Sequence, residues 1–173
     1  MRAATETRAD GATGVPRADV AAALARIAAM PAVLRDALDR VPAALHARRP
    51  AGGEFALVEQ ACHLRDLDRE AFIVRARRIL AETLPELEPF DGDAVARERG
   101  YLAQDAAAAA RDFATARAEL AAFLAAGDAA GLAREGRFCG GRIALGRLVL
   151  MIDEHDREHR AQIEALAAST GAA

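Results

Sequence analysis

From Asp19 onward, apolar side chains recur every three to four positions in runs of twenty residues and more. Such a chain builds helices that each bury one stripe, because 3.6 residues per turn bring those positions to one face. The first run covers about Asp19 to Arg40, with Leu24, Ile27, Val33, Leu34, Leu38 and Val41 on or near the stripe. Pro31 lies inside it and is expected to kink this helix or start a new one, since proline removes a donor and clashes with the preceding turn. A short turn follows Pro42, and Arg49-Pro50-Ala51-Gly52-Gly53 reads as a loop. The second run covers about Phe55 to Thr83, with Pro85 and Pro89 closing it. The third covers about Asp93 to Ala126, with a break expected near Gly100. The glycines from Gly127 to Gly141 predict a loose connection, and the last helix is expected from about Arg142 to Ala168.

Alternating β-branched runs are missing, so no strand is expected. Four long helices joined by loops predict an all-α fold, a four-helix bundle, as one domain over about residues 17–170. Residues 1–16 are small and polar, with Gly11, Gly14 and Pro16 as breakers, and read as a disordered tail. They hold no apolar stretch of signal-peptide type, and no later run reaches the roughly 18 apolar residues of a membrane span. A cytoplasmic location is expected. At 173 residues, with 53% of them apolar, the chain needs no disulfide or metal merely to fold.

Charge narrows the function. The formal net charge is −3, which argues against nucleic acid or an anionic membrane surface as the main partner. All cations are Arg, so lysine chemistry (a Schiff base, a phosphate-loop lysine) is excluded. Two cysteines, Cys62 and Cys139, are too few for a disulfide scaffold. Cys62 reads as a small packing residue. Arg134, Arg137 and Arg142 surround the loop that carries Cys139 and are candidates for binding an anionic cofactor.

The histidines carry the chemistry. His46 sits in a connection beside Arg48 and Arg49 and is expected at the surface. His155 and His159 are four apart on the last helix, so both rings lie on one face and can reach one ion. The same face holds Leu148 and Ile152 before them and Gln162 and Leu166 after, which is the stripe that should meet the core. Two buried neutral imidazoles each need a partner, and an unsatisfied buried polar group costs roughly 1–3 kcal/mol. A shared cation would satisfy both. His63 stands on the second helix among Glu59, Asp66 and Glu70. By itself that seam reads as a solvated face. A carboxylate such as Asp66 or Asp156 could also brace a ligating ring by accepting its other N–H.

Glu59-x-x-x-His63-x-x-Asp66 and His155-Asp156-x-x-His159-x-x-Gln162-Ile163 resemble the second-helix and last-helix motifs of the DinB-like, or DinB/YfiT, superfamily. Arg49-Pro50-x-Gly52 before the second helix and Leu84-Pro85 after it fit the same frame, and the resemblance spans about residues 19–168. It differs at two helix starts, Phe55-Ala56 and Arg142-Ile143, where the family often has cap residues. The resemblance implies a four-helix bundle holding a divalent metal on His63, His155 and His159. Three imidazoles leave coordination positions open, as in a catalytic site, and suit Zn, Ni, Fe or Cu alike. Two chemistries are then expected, first transfer of a low-molecular-weight thiol cofactor to an electrophile and next hydrolysis, with Glu59, Asp66 or Asp156 orienting ligands or moving protons. The alternative is a non-catalytic, stress-associated bundle that binds a metal or small molecule. A deep cleft with Arg side chains would favour the thiol, and a sealed site would favour storage. A homodimer through the alanine-rich third helix is also expected. A zincin needs a sheet, and a di-iron bundle needs two Glu-x-x-His repeats; neither is present in the sequence.

Overall fold

The computed structural model describes residues 14–169. Helix α1 runs Arg17–Arg40 without a break at Pro31. Proline at this position cannot donate to the carbonyl four residues back, that of Ile27. A side chain from a distant helix supplies the missing donor: Arg117 Nη1 donates to Ile27 O at 3.1 Å. No new helix starts at Pro31, and the carbonyl it frees is bound by a cross-link from Arg117 instead. Of the segment expected as a tail, residues 1–13 lie outside the described residues, and Val15 packs against the core.

Helix α2 spans Leu57–Leu67 and continues through a π-helical turn, Asp68–Phe72, into α3, Ile73–Ala81. Its start falls two residues later than expected. Ala56 precedes the first turn, and Glu59 accepts a hydrogen bond from the Ala56 N–H at 3.0 Å. The wide π turn adds a residue to the helix and shifts the face beyond it. The third stretch divides at Gly100, whose φ of 57° ends the short α4, Gly92–Glu98. Asp91 caps α4 through Ala94 N–H, and Asp105 caps the long α5, Ala106–Ala125, through Ala108 N–H.

A short α6, Ala129–Leu132, leads into a β-hairpin where a loose connection was expected. Strands β1, Glu135–Phe138, and β2, Gly141–Ala144, pair antiparallel with Arg137 opposite Arg142. Cys139 (φ 49°) and Gly140 (φ 79°) make the left-handed two-residue turn that suits the strand twist. Arg137 also pairs with the chain after α3, through Pro85 O and Leu87 N at 2.8 Å each. Four-residue strands, Glu-Gly-Arg-Phe and Gly-Arg-Ile-Ala, are too short for alternation to show. Helix α7 consequently starts at Leu145, not Arg142, and ends at Ser169.

The four long rods are α1, α2–α3, α5 and α7, and together they form a four-helix bundle. Its core falls into two apolar halves. One gathers Ile27, Leu67, Phe72, Leu120, Leu148 and Ile152; the other gathers Leu34, Leu57, Leu64, Phe113 and Ile163. Each fully buried Leu or Phe contributes roughly 1.5–3 kcal/mol. Between the two halves, α7 carries His155, Asp156 and His159, α5 carries Arg117, and the α2–π segment carries His63 and Asp68.

Candidate metal centre

The three rings meet between α2 and α7. His63 Nε2 lies 3.4 Å from His155 Nε2, and His159 Nε2 lies 3.0 Å from the same atom. One nitrogen from each ring falls within 4.8 Å of the others. A cation with bonds of about 2.0–2.1 Å and angles between square and tetrahedral would hold its nitrogens about 3.0–3.4 Å apart. The two distances from His155 Nε2 therefore match the spacing that one ion would set.

Protons point the same way. His159 Nδ1–H donates to Gln60 Oε1 at 2.6 Å, and Gln60 Nε2 donates to Gln162 Oε1 at 2.8 Å. This chain leaves the His159 Nε2 lone pair facing the other two rings. Without an ion, His155 must present an Nε2–H to that lone pair, and its Nδ1 then has no partner. The Nδ1 atoms of both His63 and His155 are buried without any hydrogen bond. Burial lowers the His63 pKa to about 4, helped by the neighbouring His155, and lowers that of His159 further for the same reasons. The two rings are thus held neutral, the form that ligates.

The surroundings fix the rings sterically. Phe55 meets His63 edge-on with centroids 5.4 Å apart, and Phe72 meets His155 edge-on at 5.8 Å. Gly92 opens α4 directly against His63: a Cβ there would sit 2.5 Å from Cε1 and 2.7 Å from Nδ1. His63 and His159 line an open cleft of about 690 Å³, together with Arg49, Glu54, Phe55, Phe90, Asp93, Arg97 and Gln162 among others. Its mouth is not sealed by apolar residues.

The expected carboxylates lie elsewhere than against the ring nitrogens. Glu59 is occupied by Arg49, at 2.5 and 2.7 Å, and by the Ala56 N–H. Asp66 accepts from Tyr101 at 2.6 Å, Arg65 at 2.6 Å and Arg99 at 2.8 Å. Burial alone would raise the Asp66 pKa, but these hydrogen bonds hold it below the usual carboxylate range. Asp156 Oδ1 stands 4.0 Å from His155 Nδ1, beyond hydrogen-bond reach, and Asp156 binds Arg117 instead. The acceptor that touches a ring is an amide, Gln60, three residues before His63 on α2.

The arginines proposed for a cofactor do not line the cleft. Arg134 donates to Ile79 O at 2.8 Å and Glu82 O at 2.7 Å, closing the end of α3. Arg142 pairs with Glu135 across the hairpin at 3.0 Å, and the exposed Arg137 pairs through its backbone as described. His46 is half-buried rather than surface: its Nε2–H reaches Val41 O at 2.8 Å, at the end of α1. Cys62 is buried, and burial pushes its thiol up to about 11. Both cysteines are unbridged.

Sequence reading missed Arg117, the largest fully buried side chain among the described residues. Its guanidinium, 1% exposed, bridges Asp68 (2.7 and 3.0 Å) and Asp156, and also reaches Ile27 O. Burial works against its charge, and the two carboxylates outweigh that effect. Burial likewise pushes Asp68 up to about 6 against the pull of Arg117. A signal was present: Phe113, Arg117, Leu120 and Leu124 share the stripe of α5, and an arginine on an apolar stripe requires buried partners.

Known proteins place this chain. No curated protein matches it. Among solved structures it superposes on YfiT from Bacillus subtilis, with a TM-score of 0.83, 17% identity and 94% of each chain covered. That protein is described as a probable metal-dependent hydrolase with an unusual four-helix bundle topology. At this identity the likeness speaks for the fold. The model of the DinB superfamily matches residues 16–163, nearly the whole described chain, and this chain belongs to that superfamily.

Proposed function

We propose that the chain is a metal-dependent enzyme of hydrolase type, with a divalent cation held on the Nε2 atoms of His63, His155 and His159. The observation that carries this reading is the set of three converging Nε2 atoms, 3.0 and 3.4 Å apart, with two buried Nδ1 atoms lacking partners. A dication held there acidifies a water, or a thiol, towards deprotonation at neutral pH. The protein's share is orientation. Gln60 sets the tautomer of His159, and Gly92 and Phe55 fix the plane of His63. Glu59, Asp66 and Asp156 act at one remove, holding Arg49, Tyr101 and Arg117, because their oxygens are engaged. Proton acceptance falls to the cleft carboxylates Glu54 and Asp93, which accept no hydrogen bond among the described residues.

A second reading, transfer of a low-molecular-weight thiol, is favoured by Arg97, an exposed cleft cation with no ion pair among the described residues. The open cleft speaks against storage. The reading extends to a cytoplasmic homodimer through the exposed side of α5, for which light scattering should give twice the chain mass. Elemental analysis of the purified protein tests the centre itself. Paired screens for ester or amide hydrolysis and for thiol consumption then separate the two chemistries. Metal uptake with hydrolysis is expected; protein that takes up no divalent metal would refute the proposal.

A further inference from the structure

A cation on the three histidines would stand beside a buried charge that has no opposite, and the role inferred for that charge rests on the three-histidine reading. Asp68 and Asp156 share a single guanidinium, that of Arg117, so the cluster carries one net negative charge. All three side chains are at most 6% exposed. All of Arg117's N–H groups are matched by acceptors: two carboxylates and the Ile27 carbonyl freed by Pro31. Among the described residues no other arginine pairs with Asp68 or Asp156. A buried charge without its opposite is unfavourable, and proteins seldom retain one unless a counter-ion is near.

The cluster stands directly behind the histidines. Asp156 is the neighbour of His155 in sequence, with Oδ1 4.0 Å from the unpartnered Nδ1. Asp68 opens the π turn one residue after the helix that carries His63. The two groups share one low-dielectric layer, in which charge is felt across several ångströms.

We propose that the Asp68–Arg117–Asp156 cluster is the buried counter-charge of the cation site, its uncancelled carboxylate raising the affinity of the three neutral imidazoles for a dication. Asp68 and Arg117 are positioning residues here, acting through space on an ion they do not touch. A merely structural cluster makes a different prediction. If it only holds helices in place, removing either partner loosens the site and weakens binding. As a counter-charge, the two removals act in opposite directions.

Titration of the full chain with Co²⁺, followed by its visible absorption, separates these cases. Asp68→Asn removes the surplus negative charge and should weaken Co²⁺ binding at least tenfold while leaving the absorption bands of the bound ion in place. Arg117→Gln leaves two carboxylates unopposed. It should melt at a lower temperature without metal, yet bind Co²⁺ at least as tightly as the unaltered chain. Equal weakening in both variants overturns the proposal, as does unchanged affinity in Asp68→Asn. Where Arg117→Gln does not fold without metal, Asp68→Asn decides alone, and altered absorption bands count against the counter-charge. Unaltered protein that takes up no Co²⁺, or uptake untouched by His159→Ala, strikes the three-histidine reading instead and is recognised before the variants are compared.

Discussion

Two polar clusters lie side by side in the layer between the apolar halves of the bundle, and they are finished to different degrees. Around Arg117 every donor has an acceptor, and the group is closed to water. Around His155 two ring nitrogens have no partner, three Nε2 atoms crowd together, and an open cleft adjoins. Both clusters join α7 to the α2–π segment, and both are built from buried polar groups. A saturated cluster stabilises the register of the helices. An unsaturated one of the same depth is destabilising as it stands and is completed by something from outside.

The strongest way to break that contrast is to unsaturate the saturated cluster. Arg117→Ala leaves two buried carboxylates unpaired and frees the Ile27 carbonyl, and should destabilise the metal-free fold by roughly 3–5 kcal/mol. Urea unfolding of the purified variant measures it; a loss under about 1 kcal/mol would mean that the cluster does not hold the helices. His159→Ala should do the reverse: metal uptake is abolished while circular dichroism keeps its helical signal, because the core halves stand without the ion.

How much of this contrast is legible in the sequence depends on distances along the chain. His155 and His159 are one turn apart, so helix geometry alone puts them on one face. His63 joins them only through the family motif, since nothing local says which face of α2 meets α7. Arg117 and Ile27 are 90 residues apart, and a pairing at that separation leaves no local pattern. The local chemistry of Pro31 therefore suggests a break, when its real consequence lies across the bundle. Carboxylates are expected behind the rings because charge is conspicuous in a sequence. Gln60 holds that place because it is one turn from His63 on the face that meets His159. The hairpin escapes because its strands are shorter than any alternation that would announce them.

Smaller effects sharpen the unsaturated side. Gln60→Leu removes the acceptor of His159 Nδ1–H and frees the ring to turn, which should weaken divalent-metal binding about 10–100-fold. Gly92→Ala puts a methyl 2.5 Å from His63 Cε1 and should weaken binding about tenfold or more, with little change in melting temperature. Calorimetric titration with Zn²⁺ checks both, and wild-type affinity in the alanine variant would show that the Gly92 contact is dispensable.

The smallest effect is one of pH. His63 has its pKa lowered to about 4 in the fold, mainly by burial, against about 6.5 unfolded. Between those values the unfolded chain binds more protons, so metal-free stability should fall as pH drops from 6.5 towards 4. His159, lowered further, adds to the same trend. Asp68, raised to about 6 by burial, opposes it below that pH. Two rings against one carboxyl leave a net loss on acidification, at most about 1.4 kcal/mol per pH unit. Thermal melts of metal-free protein between pH 7 and 5 should show falling midpoints, and rising midpoints would mean that the rings are not held neutral.

The account depends on the unsaturated cluster being completed by an ion. X-ray absorption at the zinc edge, on the full chain loaded with one equivalent of Zn²⁺, tests this most directly. The expected spectrum shows three imidazole nitrogens at about 2.0–2.1 Å together with at least one exchangeable oxygen ligand. A spectrum with oxygen ligands and no imidazole scattering, or with a single histidine, would contradict it.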